Sequence, residues 1–213
     1  MKKICRVILL LFSLLIISEN EYKCISSENI NFHCIERELL QYTSFVENGI
    51  KLQYTLKDKM NNEINRIYNI LLQDNELEVQ KKDNRIYANK MNLQYDINLF
   101  LQDNLLNVEI VIINKNNKID TNMLKKIIAQ FKSNNLIEER YFFIVKGKIS
   151  EEVKLDKSLL INKEIEDTYK ININNGVVYK FKFSNNEIIN TSIVTYDTGK
   201  YVIIGTPIIF ITY

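Results

Sequence analysis

At 213 residues, 46% hydrophobic and 10% aromatic, the chain is long enough to bury a core without a metal or a disulfide to hold it. Five glycines and one proline exclude a long flexible linker. Taking Lys2, Lys3, Arg6 and Glu19 away with the N-terminal segment, from 28 basic and 26 acidic residues, leaves 25 of each; a body this near neutrality has no electrostatic footprint for nucleic acid or an anionic membrane surface.

Lys2, Lys3 and Arg6 precede an apolar run from Val7 to Ile17. The run is shorter than the roughly 20 residues a spanning helix needs, and its charge-then-apolar order is that of a secretory signal. Residues 1–20 are therefore expected to be a signal peptide or N-terminal anchor, with the body secreted or membrane-tethered outside the cytoplasm. Cys24 and Cys34 can bridge in an oxidising compartment, and the sequence leaves both states open, with free thiols preferred. His33 beside Cys34 falls short of the three or four ligands of a zinc site, so no metal and no cofactor is expected.

Ile35, Leu39, Tyr42 and Val46 recur at helical spacing, predicting a helix over 34–47 that Asn48-Gly49 stops. A strand is expected over 50–56. Ile64, Ile67, Tyr68, Leu71 and Leu72 form the stripe of a second helix, started by Asn61 or Asn62. The period then changes to two. Leu77 and Val79, Ile86 and Ala88, Leu93 to Leu101, and Leu106 to Ile112 predict four antiparallel strands with one dry and one wet face, the latter carrying Gln94, Asp96 and Asn98. Asp120 or Thr121 caps a third helix with the stripe Leu124, Ile127, Ile128, Phe131. Glu139 to Lys146 reads as a strand, Gly147 as a turn, and Ser150 as the cap of a fourth helix running to about 165. Four more strands follow: Tyr169 to Ile173, a hairpin turn at Asn175-Gly176, Val177 to Phe183, then Ile189 to Tyr196 joined through Asp197-Thr198-Gly199 to Lys200 to Ile204. Pro207 places the last segment at an edge or a bulge.

The chain states one pattern twice. Leu56-Lys57-Asp58-Lys59-Met60 aligns with Val145-Lys146-Gly147-Lys148-Ile149, Glu63 with Glu152, and Leu71 with Leu160. The expectation is an α+β fold built from a duplicated helix–strand–helix–four-strand unit, one lobe over 34–118 and the other over 119–213. Helices cannot bury their stripes alone, so they lie on one face of antiparallel sheets and leave the other open.

The ending Ile203-Ile204-Gly205-Thr206-Pro207-Ile208-Ile209, closing at Tyr213, resembles the terminal signature of the bacterial YwmB-like family. The resemblance covers the chain from about Cys34. It implies an exported protein with a saddle like that of the TATA-box-binding protein, and it brings no catalytic residue with it. The tail departs from the family pattern at Ile211-Thr212, where a more acidic ending is expected.

For function, the open polar sheet face is the candidate binding surface, with Lys170, Asn172, Lys180 and Lys182 as its residues in the second lobe. The expectation is a non-catalytic binding or structural module of the cell envelope, with an envelope protein, a peptide or a glycan as partner. A hydrolase acting on glycan or peptide is the alternative, through Glu36/Glu38, Glu76/Glu78 or Glu138/Glu139. Neighbouring glutamates on a strand point to opposite faces, and no catalytic residue is assigned. Nucleic-acid binding by fold analogy would use Phe142, Phe143, Phe181 and Phe183 as wedges, but a neutral exported body is not expected to bind nucleic acid.

Overall fold

The computed structural model describes residues 31–149, 165–183 and 185–211. The expected export segment, Cys24 and the helix expected after Ser150 lie outside them. The described elements are α1 (Phe32–Tyr42), β1 (Thr43–Leu56), α2 (Met60–Leu71), β2 (Glu78–Lys82), β3 (Arg85–Lys90), β4 (Leu93–Gln102), β5 (Leu105–Asn114), α3 (Thr121–Ala129), β6 (Leu136–Ile149), β7 (Ile165–Ile173), β8 (Gly176–Phe183), β9 (Ile188–Tyr196) and β10 (Gly199–Thr206). This is an α+β fold. Its ten described strands form one antiparallel sheet in the order β2-β3-β4-β5-β1-β6-β10-β9-β8-β7. From β1 the order runs outward through β5 to β2, and from β6 it runs outward through β10 to β7, so the two halves meet along a β1–β6 seam.

Two expected boundaries move. Helix α1 ends at Tyr42 and β1 begins at Thr43, whereas the periodicity predicted helix as far as 47. Thr43 is extended, and its hydroxyl donates to the Leu39 carbonyl at 2.9 Å, closing the helix. Asn48 and Gly49 therefore sit inside a strand and not at a helix end. Gly147 likewise lies within β6, not in a turn. A Cβ there would lie 2.1 Å from Thr43 Oγ1, where a register shift between Phe45 and Glu47 brings β1 close. Glycine marks a close approach of two strands here, which reads the same as a turn in sequence. β1 and β6 are both 14 residues long and end at Leu56 and Ile149.

The other starts follow local chemistry. Asn31 caps α1, its side chain accepting from Cys34 N, and Asp120 caps α3 by accepting from Met123 N at 2.7 Å. Helix α2 starts without a side-chain cap at Lys59, two to three residues ahead of the expected asparagines. Asp103 and Asn104 both have positive φ, the geometry a tight turn needs to join β4 to β5 without splaying them.

Helix α2 packs within its own half, with Ile64, Ile67 and Leu71 against the strands of β1 and β3–β5, but α1 and α3 do not. Phe32, Ile35 and Leu39 of α1 cluster with Val145 and Ile149 of β6, Phe181 and Phe183 of β8, Ile189 of β9, and Val202 and Ile204 of β10. Leu124 and Ile128 of α3, with Phe131 just after it, cluster with Ile50 and Leu52 of β1, Ile97 of β4 and Ile110 of β5. Each helix that leads into a half covers the strands of the opposite one. Burying each such side chain contributes about 1.5–3 kcal/mol, so the crossing is a large part of what joins the halves.

A buried polar network sits where the two helices cross. Glu36 of α1, 2% exposed, accepts from Thr121 N at 2.9 Å, Thr121 Oγ1 at 2.6 Å and Asn48 Nδ2 at 2.5 Å. Asn114 Nδ2 donates to Asn48 Oδ1 at 2.8 Å and to the Ile119 carbonyl at 3.0 Å. A carboxylate against the first amide of α3 also meets the positive end of that helix. Cys34 is disulfide-bonded, which corrects the preference for free thiols.

Candidate functional site on the uncovered sheet face

Residues directly opposite on antiparallel strands share a face, so the register sorts the sheet into two surfaces. Ile50, Leu52 and Tyr54 of β1 pair with Ile112, Ile110 and Val108 of β5, and these rows face the helices. The intervening rows form the opposite surface. In the first half that surface runs from Arg85, Tyr87 and Asn89 through Asn98, Asp96 and Gln94 to Glu109, then across Gln53 to Arg140. Gln94, Asp96 and Asn98 lie on the wet face, as their alternation predicts.

This polar surface is indented by a cavity of about 360 Å³ lined by Gln53, Thr55, Phe100, Asn107, Glu109 and Arg140, with Glu138 at its side. Its charges are matched internally. Lys51 Nζ donates to Glu109 Oε1 at 3.0 Å, Gln53 Nε2 donates to the same oxygen, and Arg140 lies 3.6 Å from Glu138. The lining therefore offers amide donors and acceptors, one half-buried ring and balanced charge. Sequence reading missed these residues. The signal was present in the polar alternates Lys51, Gln53 and Thr55 of β1, which become contiguous with Asn98 only once β5 is known to lie between β4 and β1.

The second half departs from expectation. Lys170 pairs with Tyr179 and Asn172 with Val177, which puts both on the helix-side face, whereas Lys180 pairs with Tyr169 and Lys182 with Asp167 on the other. The expected quartet Lys170, Asn172, Lys180, Lys182 is therefore split between two surfaces. The cause is the parity of the hairpin. The turn is Asn174–Asn175, and it sets Ile173 opposite Gly176, so every even-numbered residue of β7 faces an odd-numbered residue of β8. The polar alternates of one strand share a face with the apolar alternates of the next.

The uncovered face of this half is also drier than expected. Val194, Tyr201 and Ile203 are buried there, with Val46, Tyr196 and Ile209 packed on them. Ile209 belongs to the C-terminal tail, which folds back over the sheet. A Cβ on Gly205 would lie 2.9 Å from the Ile208 carbonyl, Asn190 Nδ2 donates to the Pro207 carbonyl at 2.5 Å, and Phe210 meets Phe142 edge-on at 6.4 Å. Lys146, 8% exposed, lies 3.8 Å from Glu47 and within 5.0 Å of the Tyr201 ring centroid. The segment that carries the family resemblance is thus the segment that covers the middle of this face.

The remaining candidates separate in space. Phe181 and Phe183 lie in the core beneath α1, with Phe143 packed against the same cluster, while Phe142 faces the tail, so the four phenylalanines do not form one wedge. Glu139 turns to the helix side and pairs with Lys132 at 2.5 Å, while Glu138, opposite Thr55, faces the cavity. Glu36 is held in the buried network, and Glu38, with a carboxyl raised by partial burial, is half-buried on the same helix. A second concavity of about 710 Å³ opens on the helix side, with Phe32, Phe143 and Tyr141 along its wall and Lys125 above the rings. Among the described residues no group of three or more His, Cys, Asp or Glu side chains is placed to hold a metal ion. No protein-family model matches the chain, and no curated protein does.

Proposed function

We propose that this chain is an exported cell-envelope protein that binds its ligand without transforming it, using the polar half of the uncovered sheet face. Export rests on Lys2, Lys3 and Arg6 ahead of the Val7–Ile17 run. The observation that carries the binding reading is the cavity lined by Gln53, Asn107, Glu109 and Arg140 beside the Phe100 ring. Fixed amides and a charge-neutral floor suit a hydroxyl-rich, uncharged chain, so a glycan strand is the ligand class this lining favours over a peptide.

Membership of the YwmB-like family, and with it a duplicated saddle like that of the TATA-box-binding protein, belongs to the same proposal. It is supported by the mirrored strand order about the β1–β6 seam, by the equal lengths of β1 and β6, and by the tail that Gly205 allows to fold back.

Calorimetric titration of the full chain with soluble glycan fragments of the cell wall tests the binding reading. Binding is expected, and Asn107→Ala or Arg140→Ala is expected to weaken it about five- to fifty-fold, the loss of one or two hydrogen bonds. Absence of binding, or equal affinity in both variants, rejects the site. A hydrolase reading draws on one observation, that Glu109 and Glu138 line the same cavity. Release of reducing ends from purified wall, abolished by Glu138→Gln, would replace the binding reading with that one.

A further inference from the structure

The crossing of α1 and α3 is finished differently on its two helices. Glu36 is the fifth residue after the cap Asn31 of α1, and Lys125 is the fifth after the cap Asp120 of α3. On α1 that position is sealed, the Glu36 oxygens being taken up by Thr121 and Asn48. On α3 it is open. Lys125 is exposed, its Nζ lies 5.3 Å from the Tyr141 ring centroid and 6.0 Å from that of Phe143, and among the described residues no carboxylate pairs with it. These groups border the helix-side groove of about 710 Å³, a volume that suits a small organic ligand. One wall of the groove is a row of near-parallel rings, Phe32 against Phe143 at 24° and Tyr141 against Phe143 at 18°. Tyr141 and Phe143 are only half-buried, which leaves ring surface open. Phe143 lies opposite Thr206, whose hydroxyl donates to the Ile188 carbonyl at 2.7 Å and so ties the far wall to the floor. That wall carries Asn186 and Glu187, and the Glu187 carboxylate accepts from Asn185 Nδ2 at 2.9 Å.

We infer that this groove binds a small aromatic acid, its ring packed on Tyr141 and Phe143 and its carboxylate on Lys125 Nζ. An ammonium held over ring faces without a counter-ion is completed by an anion, and a charge-assisted hydrogen bond to a carboxylate is stronger than one to a neutral group. A planar apolar ring extends a row of near-parallel rings by offset stacking. Glu187 on the opposite wall repels a second anionic group, which limits the ligand to one charged end. The side-chain amides of Asn122 and Asn186, which bond nothing among the described residues, are left for polar substituents on the ring. The groove lies on the helix side of the sheet and the proposed glycan site on the other, so neither reading depends on the other.

The chain contains no tryptophan, so an indole probe reports its own binding. Indole-3-acetate and indole-3-acetamide match in shape and differ in charge, and the fluorescence anisotropy of each is followed as the full chain is added. Saturable binding of the acid is expected with a dissociation constant of about 0.1–1 mM, as for a ligand of this size, and binding of the amide about ten-fold weaker. That comparison uses the wild-type chain and needs no variant to fold. Lys125→Gln is expected to bring the acid down to the affinity of the amide, while Lys126→Gln at the next exposed position leaves the preference in place. Tyr141→Leu keeps the wall apolar without its ring and is expected to weaken both probes about two- to ten-fold. Absence of saturable binding, or equal affinity of the wild-type chain for acid and amide, overturns the inference. So does a preference for the acid that survives Lys125→Gln, which would place the anion elsewhere.

Discussion

Tyr54 shows how one residue can join a strand to two helical segments. Its hydroxyl donates to Glu63 Oε1 of α2 at 2.6 Å and lies 3.2 Å from the Phe131 carbonyl beyond α3. Arg66 closes the set, reaching Glu63 Oε1 at 2.7 Å and Oε2 at 2.8 Å. Burial, then the hydrogen bond to the Glu63 carboxylate, raises the Tyr54 phenol far above its ordinary range. A folded-state value above the unfolded one means the contribution is complete below about pH 10 and is lost as pH rises beyond it, because the unfolded chain ionises first. Glu63→Ala leaves the phenol and part of the guanidinium without their acceptor, and a loss of about 2–4 kcal/mol is expected in denaturant titration at pH 7. Tyr54→Phe should flatten the decline in stability above pH 10 relative to wild type; an unchanged alkaline slope would show that the phenol is not the group responsible. None of this was legible in the sequence, where Glu63 reads only as the residue that aligns with Glu152. The Tyr54–Glu63 contact requires β1 and α2 to be packed together before the two side chains are neighbours.

At the scale of elements, periodicity located nearly every helix and strand, and the errors share a physical origin. Asn48-Gly49 and Gly147 look like a stop and a turn because glycine's local permissiveness is visible in sequence while a close approach between distant strands is not. At Gly49 a Cβ would lie 2.7 Å from Ile113 Cδ1 and 3.1 Å from the Ile112 carbonyl, and at Gly147 it would meet Thr43. The same limit split Lys170 and Asn172 from Lys180 and Lys182: alternation gives two faces per strand, but which faces coincide depends on turn parity. The strand contact gives a coupled prediction. Gly147→Ala should destabilise by about 1–3 kcal/mol through overpacking against Thr43. Thr43→Gly alone should also destabilise, since its hydroxyl closes α1. Combining them should recover at least about 0.5 kcal/mol relative to the sum of the single changes. Strict additivity in thermal or urea unfolding would mean that the two residues do not constrain each other.

For the whole molecule, the decisive feature is that each leading helix covers the opposite half. The limits 34–118 and 119–213 follow the sequence pattern, whereas the cores do not. The buried members of the larger cluster all lie within residues 50–131: they come from strands between β1 and β5, helix α2, and then Leu124, Ile128 and Phe131 from α3 and the segment after it, with Leu136, Tyr141 and Phe143 of β6 packed against them. A fragment of residues 34–118 lacks Leu124, Ile128 and Phe131 and keeps α1 from Cys34 onward, whose Ile35 and Leu39 belong to the other cluster. Removing three fully packed apolar side chains from a core costs on the order of 6–12 kcal/mol, comparable to the whole stability of a small domain. A fragment of residues 43–131 keeps every buried member of that cluster; it loses the Glu36 contacts to Asn48 and Thr121, the pairing of β6 along β1, and the partly buried Leu136, Tyr141 and Phe143 that pack on the cluster. The expected result is that 43–131 unfolds cooperatively in urea with dispersed amide resonances, while 34–118 shows neither. If 34–118 proved the more cooperative of the two, the crossing of α1 and α3 would not be what organises the core, and the halves would be separable along their sequence limits.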